Sequence, residues 1–196
     1  MLNNQEDFQA YMYFNQEEAK TIEAIASRFI PSEENSPGAR EAGAVIFIDR
    51  SLSGFYSHLQ TFYRKGLALF EQFCEKKFGK QFAELSVEQQ DEVLHDIDQL
   101  RAKMEPSVAN IDEENLLLVQ FFSVVYEHTI EGTFGDPIYG GNRDGVGWKM
   151  IGFPGAQWRY SPEQMQLGYD SKQIEIKSLA DIQKLGASAL KKEVLK

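Results

Sequence analysis

Apolar side chains recur every three to four positions between residues 15 and 134, with polar residues filling the intervals. This spacing predicts a mainly α protein built as a helical bundle. Helices are expected near 16–30, 37–52, 54–78, 87–104 and 111–133. Asn15-x-x-Glu18, Ser86-x-x-Gln89 and Asn110-x-x-Glu113 each fit a capping box, in which side chains satisfy the N–H groups that a first turn leaves free. Ser36-Pro37 offers a cap followed by proline at the first helical position. Within 54–78, Phe55, Leu59, Phe62, Phe70 and Phe73 form one stripe, and Gly66 on that stripe leaves room for a neighbouring helix. The run 116–126 is apolar on nearly every side, as a central helix should be, whereas 87–104 keeps only a narrow face of Val93, Leu94, Ile97 and Leu100.

The pattern breaks at 135. GDPIYGGNRDGVGWKMIGFPGAQWRY (135–160) holds seven of the fifteen glycines and both tryptophans. That composition predicts a shaped loop, not a helix, and suits a contact surface. Its aromatics either face a partner or fold back on the chain's own core. Further on, Ser161-Pro162-Glu163-Gln164 reads as a short helix start and 174–176 alternates like a brief strand. Ser178-x-x-Asp181 then opens a weakly apolar tail helix ending in Lys191, Lys192 and Lys196. This mixed C-terminal arm has too little apolar surface for its own core, so it packs on the bundle, docks on a partner or stays mobile. The expected organisation is one structural domain, with a helical core over 1–134 and an interface segment and arm over 135–196.

Composition narrows the function. The chain has 196 residues and a formal net charge of −10, while 135–160 carries about +1 from Arg143, Lys149 and Arg159 against Asp136 and Asp144. An acidic chain without a clustered basic face is not built for nucleic acid. The single cysteine, Cys74, excludes an internal disulfide and reads as a buried, inert thiol among Phe70, Phe73 and Phe78. Residues 1–14 are polar and acidic, unlike a signal peptide, and the longest apolar run is too short to span a bilayer.

Catalytic patterns are sparse. Glu127, His128 and Glu131 could share one side of the central helix, as ligands do in a di-iron bundle, but that site needs Glu-x-x-His on two helices. Glu92-x-x-His95 is a single copy, and His58 and His128 read as hydrogen-bonded histidines at the core boundary. No G-x-G-x-x-G, P-loop or G-x-S-x-G occurs. Gly140-x-Asn142-x-Asp144-Gly145 has part of a calcium-loop pattern, but glycine replaces the first ligand and Ile151 the last.

Three blocks carry a resemblance: SPGAREAGAVIFIDRSL (36–52), VVYEHTIEGTFGDPIYGGN (124–142) and GWKMIGFPG (147–155). Together they resemble the gluconate 2-dehydrogenase subunit 3 family over about 14–169, most specifically in EG-x-FGDP-x-YGGN followed by GW-x-x-IGFPG. The resemblance implies a non-catalytic, cofactor-free small subunit of an FAD-dependent dehydrogenase complex. Its partner would be a large flavoprotein of the glucose–methanol–choline (GMC) type, often joined by a cytochrome c subunit whose haem accepts electrons. Substrates of such complexes are sugars, sugar acids, polyols or glycosides. The small subunit would bind and stabilise the flavoprotein and assist its maturation or export, in the periplasm or at the outer face of the cytoplasmic membrane. Family members commonly carry a twin-arginine signal. No Arg-Arg pair precedes Phe14, so a cytoplasmic complex is the other expectation.

On this reading the partner interface comprises Asp136, Pro137, Tyr139, Gly140, Gly141, Asn142, Trp148, Phe153, Pro154 and Trp158. Glycine lets backbone approach closely, the aromatics supply anchors, and Asp136-Pro137 and Pro154-Gly155 fix the turns that aim them. The rival reading is a stand-alone helical enzyme using His128 and Glu131 as a metal or acid–base site.

Overall fold

Local capping decides where most of the helices begin. In the computed structural model, which describes residues 10–34, 36–104 and 112–194, α1 (Gln16–Phe29) starts at Asn15. The Asn15 side chain accepts from the Glu18 N–H at 2.9 Å, and the Glu18 carboxylate accepts from the Asn15 N–H at 2.9 Å. The expected helix 37–52 is instead two, α2 (Ala39–Ala42) and α3 (Ala44–Ser53), separated by Gly43 at φ 70°. Ser36 is not the cap there; the Gly38 N–H is satisfied by the Glu41 carboxylate at 2.7 Å. The next helix begins later than 54, because Gly54 ends α3 and a 3-10 turn (Ser57–Leu59) leads into α4 (Gln60–Phe78). α5 (Val87–Met104) carries the Ser86–Gln89 box, at 3.1 and 3.3 Å. For α6 (Glu113–Phe134) the cap is Asp112, which accepts from the Asn115 N–H at 2.9 Å; the expected Asn110 lies outside the described residues.

α6 is the central helix and packs against all five helices that precede it. Its Leu118, Val119, Phe121 and Val125 share one apolar cluster with Ile22 and Ile25, Ile48 and Leu52, Tyr63 and Phe70, and Val93 and Ile97. The α4–α6 contact depends on Gly66, where a Cβ would stand 2.3 Å from the Phe121 ring, so the glycine does admit a close neighbour. Cys74 is buried in this core, and burial pushes its thiol up to about 12, as an inert thiol requires. Phe55 departs from the expected stripe: the turn after Gly54 carries it out of the bundle to 84% exposure.

The chain before α1 is tied down by one carboxylate. Asp49 of α3 is buried, and its two oxygens accept the N–H groups of Met12, Tyr13 and Phe14 at 2.7, 2.8 and 2.9 Å. A carboxylate is tolerated in an interior only when hydrogen bonds replace its hydration, as these three do.

Beyond 134 the composition misleads. Glycine does not exclude helix from 135–160; it bounds one. α7 (Val146–Ile151) is entered from Gly145 at φ 65° and left through Gly152 at φ 68°, both in the left-handed region that glycine adopts freely. Ser161 and Gln164 exchange cap-like bonds at 2.8 and 3.2 Å around a single turn, with no α-helix following. The strand expected at 174–176 reduces to one parallel bridge between Gly155 and Lys177. α8 (Leu179–Val194) does open with the Ser178–Asp181 box, at 3.0 and 3.3 Å. Lys191 and Lys192 fall within α8, and Lys196 lies outside the described residues. Among the described residues no helix is long and apolar enough to cross a membrane.

Asp49→Ala strands three backbone N–H groups, of which the Phe14 bond is fully buried. It should cost on the order of 3 kcal/mol, read as an earlier thermal unfolding midpoint. A variant melting with the wild type would show that the 12–14 segment does not depend on this carboxylate.

Candidate functional site

The last carbonyls of an α-helix have no partners within it. At the end of α6 they are buried, since Gly132 and Thr133 have almost no solvent contact. The segment 135–148 supplies the missing donors. The Asn142 N–H donates to Gly132 O at 2.7 Å, and the Trp148 indole N–H donates to Phe134 O at 2.6 Å. The Asn142 side-chain amide donates to Gly135 O at 2.7 Å, and its oxygen accepts the Gly147 N–H at 2.8 Å. Asn142 holds φ 43°, is fully buried, and so welds the end of α6 to the start of α7. Two glycines are sterically obligatory in this weld. A Cβ at position 141 would lie 2.1 Å from Gly132 O, and one at 147 would lie 1.9 Å from Thr133 O.

This packing divides the expected interface residues. Gly141, Asn142, Trp148 and Pro154 turn inward, and Trp148 is only 4% exposed, so it is not the outward anchor its residue type suggested. Tyr139, Phe153 and Trp158 stay outside, at 58%, 45% and 73% exposure. Phe153 meets the Trp148 ring edge-on at 5.4 Å, which links the two sets. Asp136, Pro137 and Gly140 are half-buried. Asp136 is a junction: one oxygen accepts the Ile138 N–H at 2.9 Å and the other the Leu179 N–H at 2.8 Å, at the start of α8.

The arm packs on this same segment, through described contacts as far as α8. The Ala156 N–H donates to Lys177 O at 2.7 Å, and the Lys177 N–H to Pro154 O at 3.2 Å. Ser171 Oγ donates to Gly152 O at 2.6 Å, and the Gln157 amide reaches Pro154 O and Glu175 O at 2.8 and 2.9 Å.

Sequence reasoning missed one feature nearby. A groove of about 590 Å³ lies between α3, the turn at 54–56 and the turn at 135–139. Phe47, Phe55, Tyr56 and Tyr139 give it aromatic walls, and Arg50, Glu131 and Asp136 stand among them. The only signal was Gly54-Phe55 at the foot of α3, where a glycine break precedes a large apolar residue.

The histidine site of the rival reading does not come together. His128 is buried, with Nδ1 2.7 Å from the Tyr63 hydroxyl and its ring stacked on Tyr56 at 4.4 Å. Burial lowers its pKa from 6.5 to about 4 and pushes that of Tyr63 well above 10. A protonated tyrosine thus pairs with a neutral imidazole. Glu131 is exposed and accepts from the Tyr56 hydroxyl at 3.1 Å. Glu127 is exposed, and so are His95 and His58, the latter correcting its expected place at the core boundary. Glu92 pairs with Lys77 at 2.7 Å. Among the described residues no group of three or more His, Cys, Asp or Glu is placed to hold a metal.

The family described as gluconate 2-dehydrogenase subunit 3 matches residues 16–155, and the chain belongs to it. The matched region runs from the start of α1 to Gly155, where the arm bridges back. No curated protein and no solved structure matches the chain.

Asn142→Ala removes the amide and leaves Gly135 O and the Gly147 N–H unpaired in the interior. The expected loss is about 3 kcal/mol in denaturant unfolding, with faster amide exchange across 135–155. An unchanged midpoint would show that the weld is dispensable. His128 gives a pH signature. The unfolded chain binds its proton below 6.5 while the folded chain resists until about 4. Its stabilising contribution is thus complete above 6.5 and is lost as pH falls towards 4, by on the order of 3 kcal/mol. His128→Gln, which keeps a polar hydrogen-bonding group beside Tyr63, should lack that component when stability is followed by urea unfolding across this window. Parallel profiles for the two proteins would refute it.

Proposed function

We propose that this chain is the non-catalytic small subunit of a dehydrogenase complex, binding and stabilising a large GMC-type flavoprotein and assisting its maturation or export. The FAD belongs to that partner, and a cytochrome c subunit takes the electrons where one is present. The complex oxidises a sugar, sugar acid, polyol or glycoside, in the periplasm or at the outer face of the cytoplasmic membrane. Family membership supports the dehydrogenase setting.

One observation carries the binding role. Among the described residues most of the exposed large apolar side chains fall between 138 and 185, and the first part of that stretch is braced from within by Asn142 and Trp148. Exposed aromatics on a rigid frame lose little entropy on docking, which is how hot spots are built. Tyr139, Phe153 and Trp158 make the contact in this reading. Gly141, Asn142, Trp148 and Pro154 shape it from inside, and Asp136, Pro137 and Gly140 fix the turn beside it. A subunit that binds only the folded flavoprotein stabilises it by mass action, with no chemistry of its own.

Co-expression with the large subunit tests this directly. A tag on this chain should recover a yellow complex that reduces dye on addition of sugar, and omitting the chain should abolish soluble flavoprotein. Unchanged flavoprotein yield and activity without the chain would overturn the proposal. Within the complex, Trp158→Ala should weaken binding by about 2 kcal/mol while leaving the subunit's own melting unchanged. Trp148→Ala should instead lower the melting temperature of the isolated subunit, because Phe134 O loses its donor. Equal effects of the two variants on both readouts would show that the inward and outward sets are not distinct.

A further inference from the structure

Phe55 is placed where its own fold gains nothing from it. Gly54 ends α3, the chain turns, and the ring stands 84% exposed, touching the Tyr56 ring edge-on at 5.0 Å. It lines the groove together with Tyr56 and Tyr139. We propose that this groove seats an apolar side chain of the large subunit whose neighbouring carboxylate is held by Arg50. The inference rests on the reading of this chain as a small subunit and specifies what the partner presents.

The groove is built before any partner arrives. Tyr56 is fixed by its stack on buried His128 and by its bond to Glu131 at 3.1 Å. Asp136 is fixed by the Ile138 and Leu179 N–H groups. With Tyr56 and Asp136 already held, part of the ordering cost of docking is met before the partner arrives. The charges select its neighbour. Glu131 and Asp136 accept hydrogen bonds from neutral donors and so keep their charge. Of the charged lining groups only Arg50, which forms no ion pair among the described residues, can hold an incoming carboxylate. Its side chain lies across Gly140, where a Cβ would be 2.7 Å from a guanidinium nitrogen, so φ 102° glycine leaves the space the arginine occupies. An unpaired guanidinium beside aromatic walls is complementary to a carboxylate, which it can bind through two parallel N–H groups. Asp136 and Tyr139 belong both to this groove and to the proposed interface segment, so one partner reaches both.

The test uses the co-expressed complex with Phe55→Ala, Arg50→Gln and Arg50→Glu. Phe55 and Arg50 are both exposed, so the isolated variants should melt with the wild type. Each should bind the large subunit at least about tenfold more weakly, with Arg50→Glu the weakest. A photo-crosslinking phenylalanine analogue at position 55 should label a large-subunit peptide containing Asp or Glu, and replacing that acid by Lys should restore binding to Arg50→Glu. Binding within about twofold of wild type for Phe55→Ala and Arg50→Glu, alongside a weakened Trp158→Ala, would overturn the groove proposal and leave the subunit reading intact. Crosslinks to a second copy of this chain, or a dimer of the isolated subunit lost in Phe55→Ala, would assign the groove to self-association instead. A wild-type chain that forms no complex would overturn both readings.

Discussion

The C-terminal end of α6 is the constraint around which the rest is arranged. A central helix that ends inside the protein leaves carbonyls that water cannot reach, and each unpaired group would cost a large share of a small domain's stability. Asn142 and Trp148 answer that requirement with three donated hydrogen bonds. The geometry of the answer then dictates the sequence around it. Backbone must come so near α6 that Gly141 and Gly147 cannot carry a Cβ, and Asn142 must sit at positive φ, which its short polar side chain tolerates. The glycine-rich motif is thus first of all a helix terminator, and only its outer surface is free for anything else.

A second site uses the same device. Asp49 spends its carboxylate on three backbone N–H groups and so ties the chain before α1 to α3. In both places a single buried polar side chain fixes a stretch of irregular backbone whose groups would otherwise need water. α3 joins the two: Asp49 faces the 12–14 segment, and the next residue, Arg50, faces the groove beside Gly140.

Local signals were legible and through-space ones were not. The boxes at Asn15, Ser86 and Ser178 could be read because cap and partner lie three residues apart, within one turn. The apolar run in α6 announced a central helix because only a helix surrounded by others can be apolar on nearly every side. The break at Gly43 escaped because the apolar spacing continues across it, and nothing local requires a left-handed residue there. α7 escaped because glycine content was read as an average, whereas Gly145 and Gly152 act only at its two ends. Residue type also could not tell Trp148 from Trp158. Both are amphipathic rings in the same loop, and what buries one is a carbonyl of α6 that periodicity cannot place. For the same reason Asn142 reads as a residue of the partner interface, though its hydrogen bonds run to Gly132 and Gly135 where α6 closes and to Gly145 and Gly147 where α7 opens.

One segment that closes a helix with its inner face and presents aromatics on its outer face makes folding and binding share a free energy. A partner that grips Tyr139, Phe153 and Trp158 also holds the backbone that carries Asn142 and Trp148, so docking stabilises the α6 terminus as well as the partner. By linkage the effect is reciprocal: under the proposed role, a partner stabilised by binding this chain stabilises this chain in turn. The arm extends the coupling, because Asp136 caps both the 137–139 turn and α8 and would transmit strain at the groove to the tail. Under the proposed role, the stability this chain lends a partner depends on how firmly Asn142 holds the segment that carries the contact residues.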